Sequence, residues 1–217
     1  MPISEVYNVD CLEYMRSLPD KHFDLTIADP PYGLGDKLVI GGTWSKKYQT
    51  HGVKWDTLLS KDYFDQIFRV SKNWIIWGGN YYLEYMPNCR CFICWNKPYM
   101  SGMKTMSNCE LALTSFDANA RCIDINRENV ARIHVTQKPI ALYAWILDNY
   151  AIGGGKIFDP FLGSASSRIA SYKIGFDFYA CELDKEYYEA QEERFRRECL
   201  GEIKLTNGKV AVQQTLF

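Results

Sequence analysis

The feature that most constrains the fold of this chain is a repeated ending: short apolar runs that stop at an acidic residue. Phe23 to Ala28 stops at Asp29, Lys156 to Phe158 at Asp159, Phe178 to Cys181 at Glu182, and the run from Val6 to Val9 at Asp10. Runs of this length and composition read as buried strands. Segments of helical period alternate with them. Leu12, Met15 and Leu18 share one face of a short helix, and Tyr63, Ile67, Phe68 and Val70 suggest another. Pro139 fits the first turn of a third, which carries Ile140, Ala144 and Leu147 in register to about Tyr150. A fourth follows Ser164, and Asp184 can cap the last, to about Leu200. Trp74 to Trp77, Cys91 to Trp95 and Glu110 to Ser115 are further strands. The total of about seven strands, mostly separated by helices, predicts a largely parallel α/β sheet flanked by helices. Such sheets bind ligands beyond the carboxyl ends of their strands, so the four strand-end acids mark a site.

Bulk properties narrow the class. A chain of 217 residues suits one domain, expected over residues 1–200 with a tail over 201–217. A hydrophobic share of 47% supplies its core, yet no stretch of about 18 uncharged apolar residues occurs to span a membrane. The opening Met1-Pro2-Ile3-Ser4-Glu5 lacks a basic segment followed by an apolar run. That predicts no export and, for the eight scattered cysteines, reduced thiols in a cytoplasm. A net charge of −1 argues against a protein held on nucleic acid by bulk charge, while leaving local basic surfaces open.

Two stretches carry chemistry. In Asp29-Pro30-Pro31-Tyr32-Gly33 a carboxylate at a strand end is held by two prolines. Prolines have no N–H and cannot continue a ladder, so the chain leaves the sheet with carbonyls open to a ligand. An amino group has two protons and needs two acceptors, which the Asp29 carboxylate and the Pro30 carbonyl could supply, with Tyr32 flat on an aromatic base. A rigid turn with a capping Asp is the plainer reading of the same residues. The second stretch, Phe158-Asp159-Pro160-Phe161-Leu162-Gly163-Ser164, is a strand, a tight turn and a helix start. It has neither the Gly-Lys-Ser/Thr of a triphosphate loop nor the three glycines of a dinucleotide site. Glu182 follows about 20 residues later at the next strand end, the place and spacing of a carboxylate that holds ribose hydroxyls.

In combination these residues resemble the DNA amino-methyltransferases of permuted, β-type order, in which an Asp-Pro-Pro-Tyr stretch precedes the cofactor stretch. Asp29-Pro30-Pro31-Tyr32 is similar to the former and Asp159-Pro160-Phe161-Leu162-Gly163-Ser164 to the latter. Thr136-Gln137-Lys138-Pro139 resembles the segment before the first cofactor-side helix, and Asn8-Val9-Asp10-Cys11 with Phe23-Asp24-Leu25 the family's opening. The likeness runs over about residues 6 to 198. It implies a Rossmann-like, S-adenosylmethionine-dependent methyltransferase fold and site-specific methylation of double-stranded DNA. The target would be N6 of adenine, or alternatively N4 of cytosine, in a flipped-out base; a non-catalytic DNA-binding partner is the remaining alternative, against which the intact Asp29-to-Tyr32 stretch argues. It further implies that Asp29 and Pro30 accept from the target amine while Tyr32 stacks on the base. Phe158, Asp159, Phe161, Gly163 and Ser164 would line the methionine part of the cofactor, with Lys138 near its carboxylate. Glu182 would hold the ribose and Asp10 would lie near the adenine. A sulfonium methyl is already activated, so no metal is called for. Two residues depart from the pattern: Ala165 stands where a second glycine is usual, and Val135 where a proline often follows His134.

The rest leaves alternatives. Residues 34–56 and 116–136 read as irregular loops that either contact DNA or are ordinary solvated charge. They hold Lys37, Lys46, Lys47, Lys54, Arg121, Arg127 and Arg132. Neither loop resembles a full recognition domain, which implies a short target, a small recognition surface or a homodimer that shares recognition. Cys89, Cys91 and Cys94 are either a structural zinc site or buried thiols on a strand, with the alternation favouring thiols. His51 and His134 read as polar loop residues, and Glu192 to Glu198 as a solvated helix face. Gln213-Gln214-Thr215-Leu216-Phe217 looks like the pentapeptide that docks on the bacterial sliding clamp. The other reading is a final strand after the Asn207-Gly208 turn, pairing Leu205 with Val210 or Val212.

Overall fold

Phe23 to Ala28 is buried at every position but Asp24 because it lies inside a sheet that is covered on both sides. The computed structural model describes residues 1–35, 56–98, 107–126, 132–134, 136–204 and 210–212. Along the chain the strands are β1 (Ser4–Tyr7), β2 (Phe23–Ala28), β3 (Ser71–Trp77), β4 (Phe92–Asn96), β5 (Cys109–Thr114), β6 (Arg121–Asp124), β7 (Lys156–Asp159), β8 (Asp177–Cys181), β9 (Glu202–Lys204) and β10 (Val210–Val212). The helices are α1 (Cys11–Arg16), α2 (Lys61–Val70), α3 (Ile140–Tyr150), α4 (Ser166–Ile174) and α5 (Lys185–Leu200). Eight strands form one sheet in the order β1-β8-β7-β2-β3-β5-β4-β6. Within it β5 alone runs against the others, antiparallel to both β3 and β4. The α/β expectation holds.

Two apolar clusters cover the two faces. Met15 of α1 and Phe64, Ile67 and Val70 of α2 pack with Phe23, Ala28 and Ile76. On the other face Leu142, Ile146 and Leu147 of α3 pack with Leu25, Ile27, Ile75 and Ile157. Phe64, Ile67 and Val70 recur every three residues, which puts them on one face of α2. The chain leaves β2 towards β3 on one side, while β7, β8 and β1 fill the other. The carboxyl ends of β1, β8, β7 and β2 therefore open onto a point where the strand order reverses, the usual place for a ligand crevice.

Several expectations are corrected. The first strand ends at Tyr7 rather than Val9, because the Asn8 amide turns to the carbonyls of Glu182 and Leu183 and Asp10 caps α1. The stretch read as irregular after Phe116 contains β6, which pairs in parallel with β4 at the sheet edge. Its four residues, Arg-Cys-Ile-Asp, leave no clean alternation to read. Pro139 precedes α3 as its cap instead of sitting in its first turn. The face from Glu192 to Glu198 is not wholly solvated: Arg194 and Phe195 are buried. In the tail, β9 and β10 pair antiparallel with Val210 opposite Lys204.

All eight cysteines are free thiols, with Cys91 buried and Cys89 and Cys94 half-buried. Among the described residues no helix is long and apolar enough to cross a membrane. Lys37, Lys46, Lys47, Lys54, His51, Arg127, Val135, Leu205, Asn207-Gly208 and Gln213 to Phe217 lie outside the described residues.

Candidate active site

A cavity of about 540 Å³ opens at the carboxyl ends of these strands. It is lined by Asp10 after β1, Asp29 to Tyr32 after β2, Pro160 to Ser164 after β7 and Glu182 after β8. Asp56, Tyr63, His134, Lys138 and Tyr143 lie around it as well. The two stretches singled out from sequence thus meet in one pocket.

On one side stands Asp29. Its Oδ1 accepts from the Tyr32 hydroxyl at 2.7 Å, and its Oδ2 accepts from the Lys138 ammonium. Burial pushes the Asp29 carboxyl above its ordinary value, with Lys138 opposing and Glu110 adding to the rise. Burial alone would lower the Lys138 ammonium, but the Asp29 and Glu110 carboxylates reverse this and leave it raised. Among the described residues no backbone N–H donates to the Pro30 carbonyl across a turn or loop. The Pro31 carbonyl takes the Tyr82 hydroxyl. The Tyr32 ring stacks on Tyr81 with centroids 4.8 Å apart. It also lies so close to Gly78, itself at φ +63°, that a Cβ there would come within 2.0 Å of the ring. Gly78 is therefore required by both backbone and contact.

The other side is a cradle. Glu182 accepts from the Gly163 N–H at 2.8 Å and from the Asp184 N–H at 2.9 Å, and burial raises its carboxyl. Asp10 accepts from the Leu12 N–H at 2.8 Å and from the Tyr63 hydroxyl at 3.1 Å. Phe161, Gly163 and Ser164 line the cavity. Phe158 and Asp159 lie beneath it. Phe158 stacks on Phe23 at 4.5 Å, and Asp159 accepts from the Ser167 hydroxyl at 2.5 Å and the Phe161 N–H at 3.0 Å. Burial lifts the Asp159 carboxyl to about 7. Asp159 thus shapes the turn from below. The cradle suits a nucleoside-containing cofactor: two carboxylates at strand ends can accept from hydroxyl or amino groups, and the volume is that of an ordinary small-molecule site.

Lys138, which the resemblance puts near a methionine carboxylate, lines the cavity, and its ammonium bridges Asp29 and Glu110, the latter at 3.1 Å. The sequence reading gives four other residues no part in the site. Asp56 accepts from the N–H groups of Tyr32, Gly33 and Gly35 at 2.8, 3.0 and 2.7 Å, so one buried carboxylate holds the whole turn after Pro31. Arg194 donates to the Ser164 carbonyl at 2.7 Å from the far helix. His134 packs on Tyr187 at 4.3 Å, and burial with the nearby Lys138 lowers its imidazole to about 4, leaving it neutral near pH 7. Glu110 had one visible signal: a lone charge inside an apolar strand.

An α/β sheet whose strand ends carry carboxylates around one cavity is an arrangement suited to a cofactor-dependent enzyme. The sequence model of the DNA methylase family, which covers N6 and N4 methyltransferases, matches residues 76–193 of the 217. The chain belongs to this family, whose cofactor is S-adenosylmethionine. Asp29 lies ahead of the matched residues. The chain is 21% identical to the type II methyltransferase M.HinfI of Haemophilus influenzae, covering 89% of this chain and 68% of that one. Among solved structures it is similar to the M1.HpyAVI complex with S-adenosylmethionine, at TM-score 0.61 and 18% identity over 88% and 98% of the two chains. TTHA0409 of Thermus thermophilus in complex with S-adenosylmethionine gives 0.62 and 18% over 92% and 96%. The cytosine-N4-specific PvuII DNA methyltransferase gives 0.63 and 14% over 90% and 87%. At these identities the structures speak for a shared fold, that of S-adenosylmethionine-dependent methyltransferases.

Proposed function

We propose that this chain transfers a methyl group from S-adenosylmethionine to the N6 amino group of an adenine flipped out of double-stranded DNA. The supporting observation is that Asp29 and Pro30, expected from sequence to accept from an amine, line the same cavity as Glu182 and Asp10. When bound, the cofactor supplies a methyl already activated on a sulfonium. The chain's own residues do the rest. The Asp29 carboxylate and the Pro30 carbonyl accept hydrogen bonds from the two amine N–H groups. That favours a tetrahedral nitrogen and frees its lone pair for in-line attack. The nitrogen sheds one of these protons once it is methylated. Tyr32, once off Asp29, offers its ring to the base. Glu182 would accept from the ribose and Asp10 would lie by the cofactor's adenine, while Asp159 sets the turn that carries Phe161, Gly163 and Ser164.

Cytosine-N4 is the second reading, and the likeness to the PvuII enzyme favours it. The aspartate at 29 favours adenine, since cytosine-N4 enzymes more often carry serine there. We also propose the permuted motif order, recognition by a small surface or a homodimer, and docking of residues 213–217 on a sliding clamp. Asp29→Ala should abolish methyl transfer while sparing cofactor binding. Radiolabelled transfer to DNA followed by nucleoside analysis tests both parts. Near-normal turnover sinks the role of Asp29, and methylated cytosine sinks the choice of adenine.

A further inference from the structure

Both oxygens of Asp29 are already occupied by the chain itself, Oδ1 by the Tyr32 hydroxyl and Oδ2 by the Lys138 ammonium. A target amine that docks on Asp29 must displace one of these donors. Tyr32 can swing with its ring. Lys138 cannot retreat to water, because it is buried, and a buried ammonium stripped of its anion is costly. A second anion is waiting. Glu110, on β5, places Oε2 3.1 Å from the Lys138 nitrogen, and its Oε1 accepts from Lys97 at 2.8 Å. Asp29, Lys138, Glu110 and Lys97 therefore form a chain of alternating charge, with Lys97 and Lys138 buried. Tyr143 on α3, Asp159 on β7 and His134 are further titratable groups that interact with this cluster.

We infer that Glu110 is a positioning residue that receives the Lys138 ammonium when the target amine takes its place on Asp29. In the resting site Lys138 stands in for the substrate's amino group. On docking, the ammonium gives up Asp29, keeps Glu110 and stays inside the protein. No bond is made or broken in this exchange, and no proton need move. Glu110 acts only through Lys138. The inference rests on Asp29 as the acceptor of the target amine, and it predicts behaviour that ordinary packing does not.

Glu110→Gln leaves Lys138 with Asp29 as its only anion in the cluster, so the ammonium competes with the substrate. Turnover should fall about tenfold or more, within the range that misplacing a reacting group produces. Lys138→Met removes the competitor, so Glu110→Gln should cost little further turnover when it is added to Lys138→Met. A second readout needs no methyl transfer. Carbon-13 titration of the Asp29 carboxyl, without cofactor or DNA, should show a lower midpoint in Glu110→Gln and a higher one in Lys138→Met. Thermal melting confirms that each variant is folded. If the two single losses multiply in the double variant, or Glu110→Gln leaves the Asp29 midpoint unmoved, the inference is overturned. Absence of transfer by the wild type overturns the catalytic reading instead, and the titration tells the two failures apart.

Discussion

Ala165 shows how little room one residue has beside this site. It caps α4 at φ +63°, a region that costs an alanine about 1–2 kcal/mol. Glycine would relieve that strain. It would also free the unfolded chain by about 0.4–1 kcal/mol and forfeit a fully buried methyl worth about 0.8 kcal/mol. These contributions nearly cancel, which is why alanine can stand where the resemblance leads one to expect glycine. Ala165→Gly should therefore change stability by less than about 1 kcal/mol in urea unfolding. Ala165→Val, β-branched at positive φ inside the core, should lose more than about 2 kcal/mol. Equal effects of the two substitutions would show that backbone strain at 165 is not the controlling factor.

At the scale of elements, the turn after β2 is held from outside itself. Asp56→Ala leaves the N–H groups of Tyr32, Gly33 and Gly35 without their shared acceptor, at a cost of about 1–3 kcal/mol for each left unsatisfied. Turnover should fall more than cofactor affinity, since the hydrogen bonds of Glu182 come from elsewhere. Cofactor titration beside a transfer assay checks this, and equal losses in both would sink it. Asp56 also marks the limit of what the sequence displays. Buried parallel strands write uninterrupted apolar runs, so β2, β7 and β8 were legible, and so were the acids that end them. Asp29, Glu182 and the Gly163 turn follow from those ends. Asp56 reaches its partners across more than 20 residues, and Lys138 reaches Asp29 across 109. No local period encodes such contacts. The edge strand β6 stayed hidden for another reason: with its polar side chains exposed, it need not alternate.

At the scale of the whole molecule, the site opposes stability near neutral pH. Asp29, Asp159 and Glu182 gather at neighbouring strand ends, and burial raises all three carboxyls. For a carboxyl whose folded value lies above its unfolded one, the folded state holds the proton more tightly. Its stabilising effect is complete below the unfolded value and is lost as pH rises to the folded value. For Asp159 that window runs from 3.8 to about 7. Glu110 and Glu192, lowered against burial by their cationic partners, act in the opposite sense. Comparing two chains that differ at one position removes those other groups. Asp159→Asn cannot ionise, yet keeps an oxygen to accept from Ser167 or Phe161. Inside the window, the pH slope of unfolding free energy should therefore differ from wild type by about 1.4 kcal/mol per unit, one proton's worth. The variant should be the more stable chain near pH 7 and lose that lead on acidification. Urea unfolding across the window measures both slopes. Identical slopes would mean that Asp159 ionises in the folded protein as it does in the unfolded chain, and that the strand ends do not store this cost.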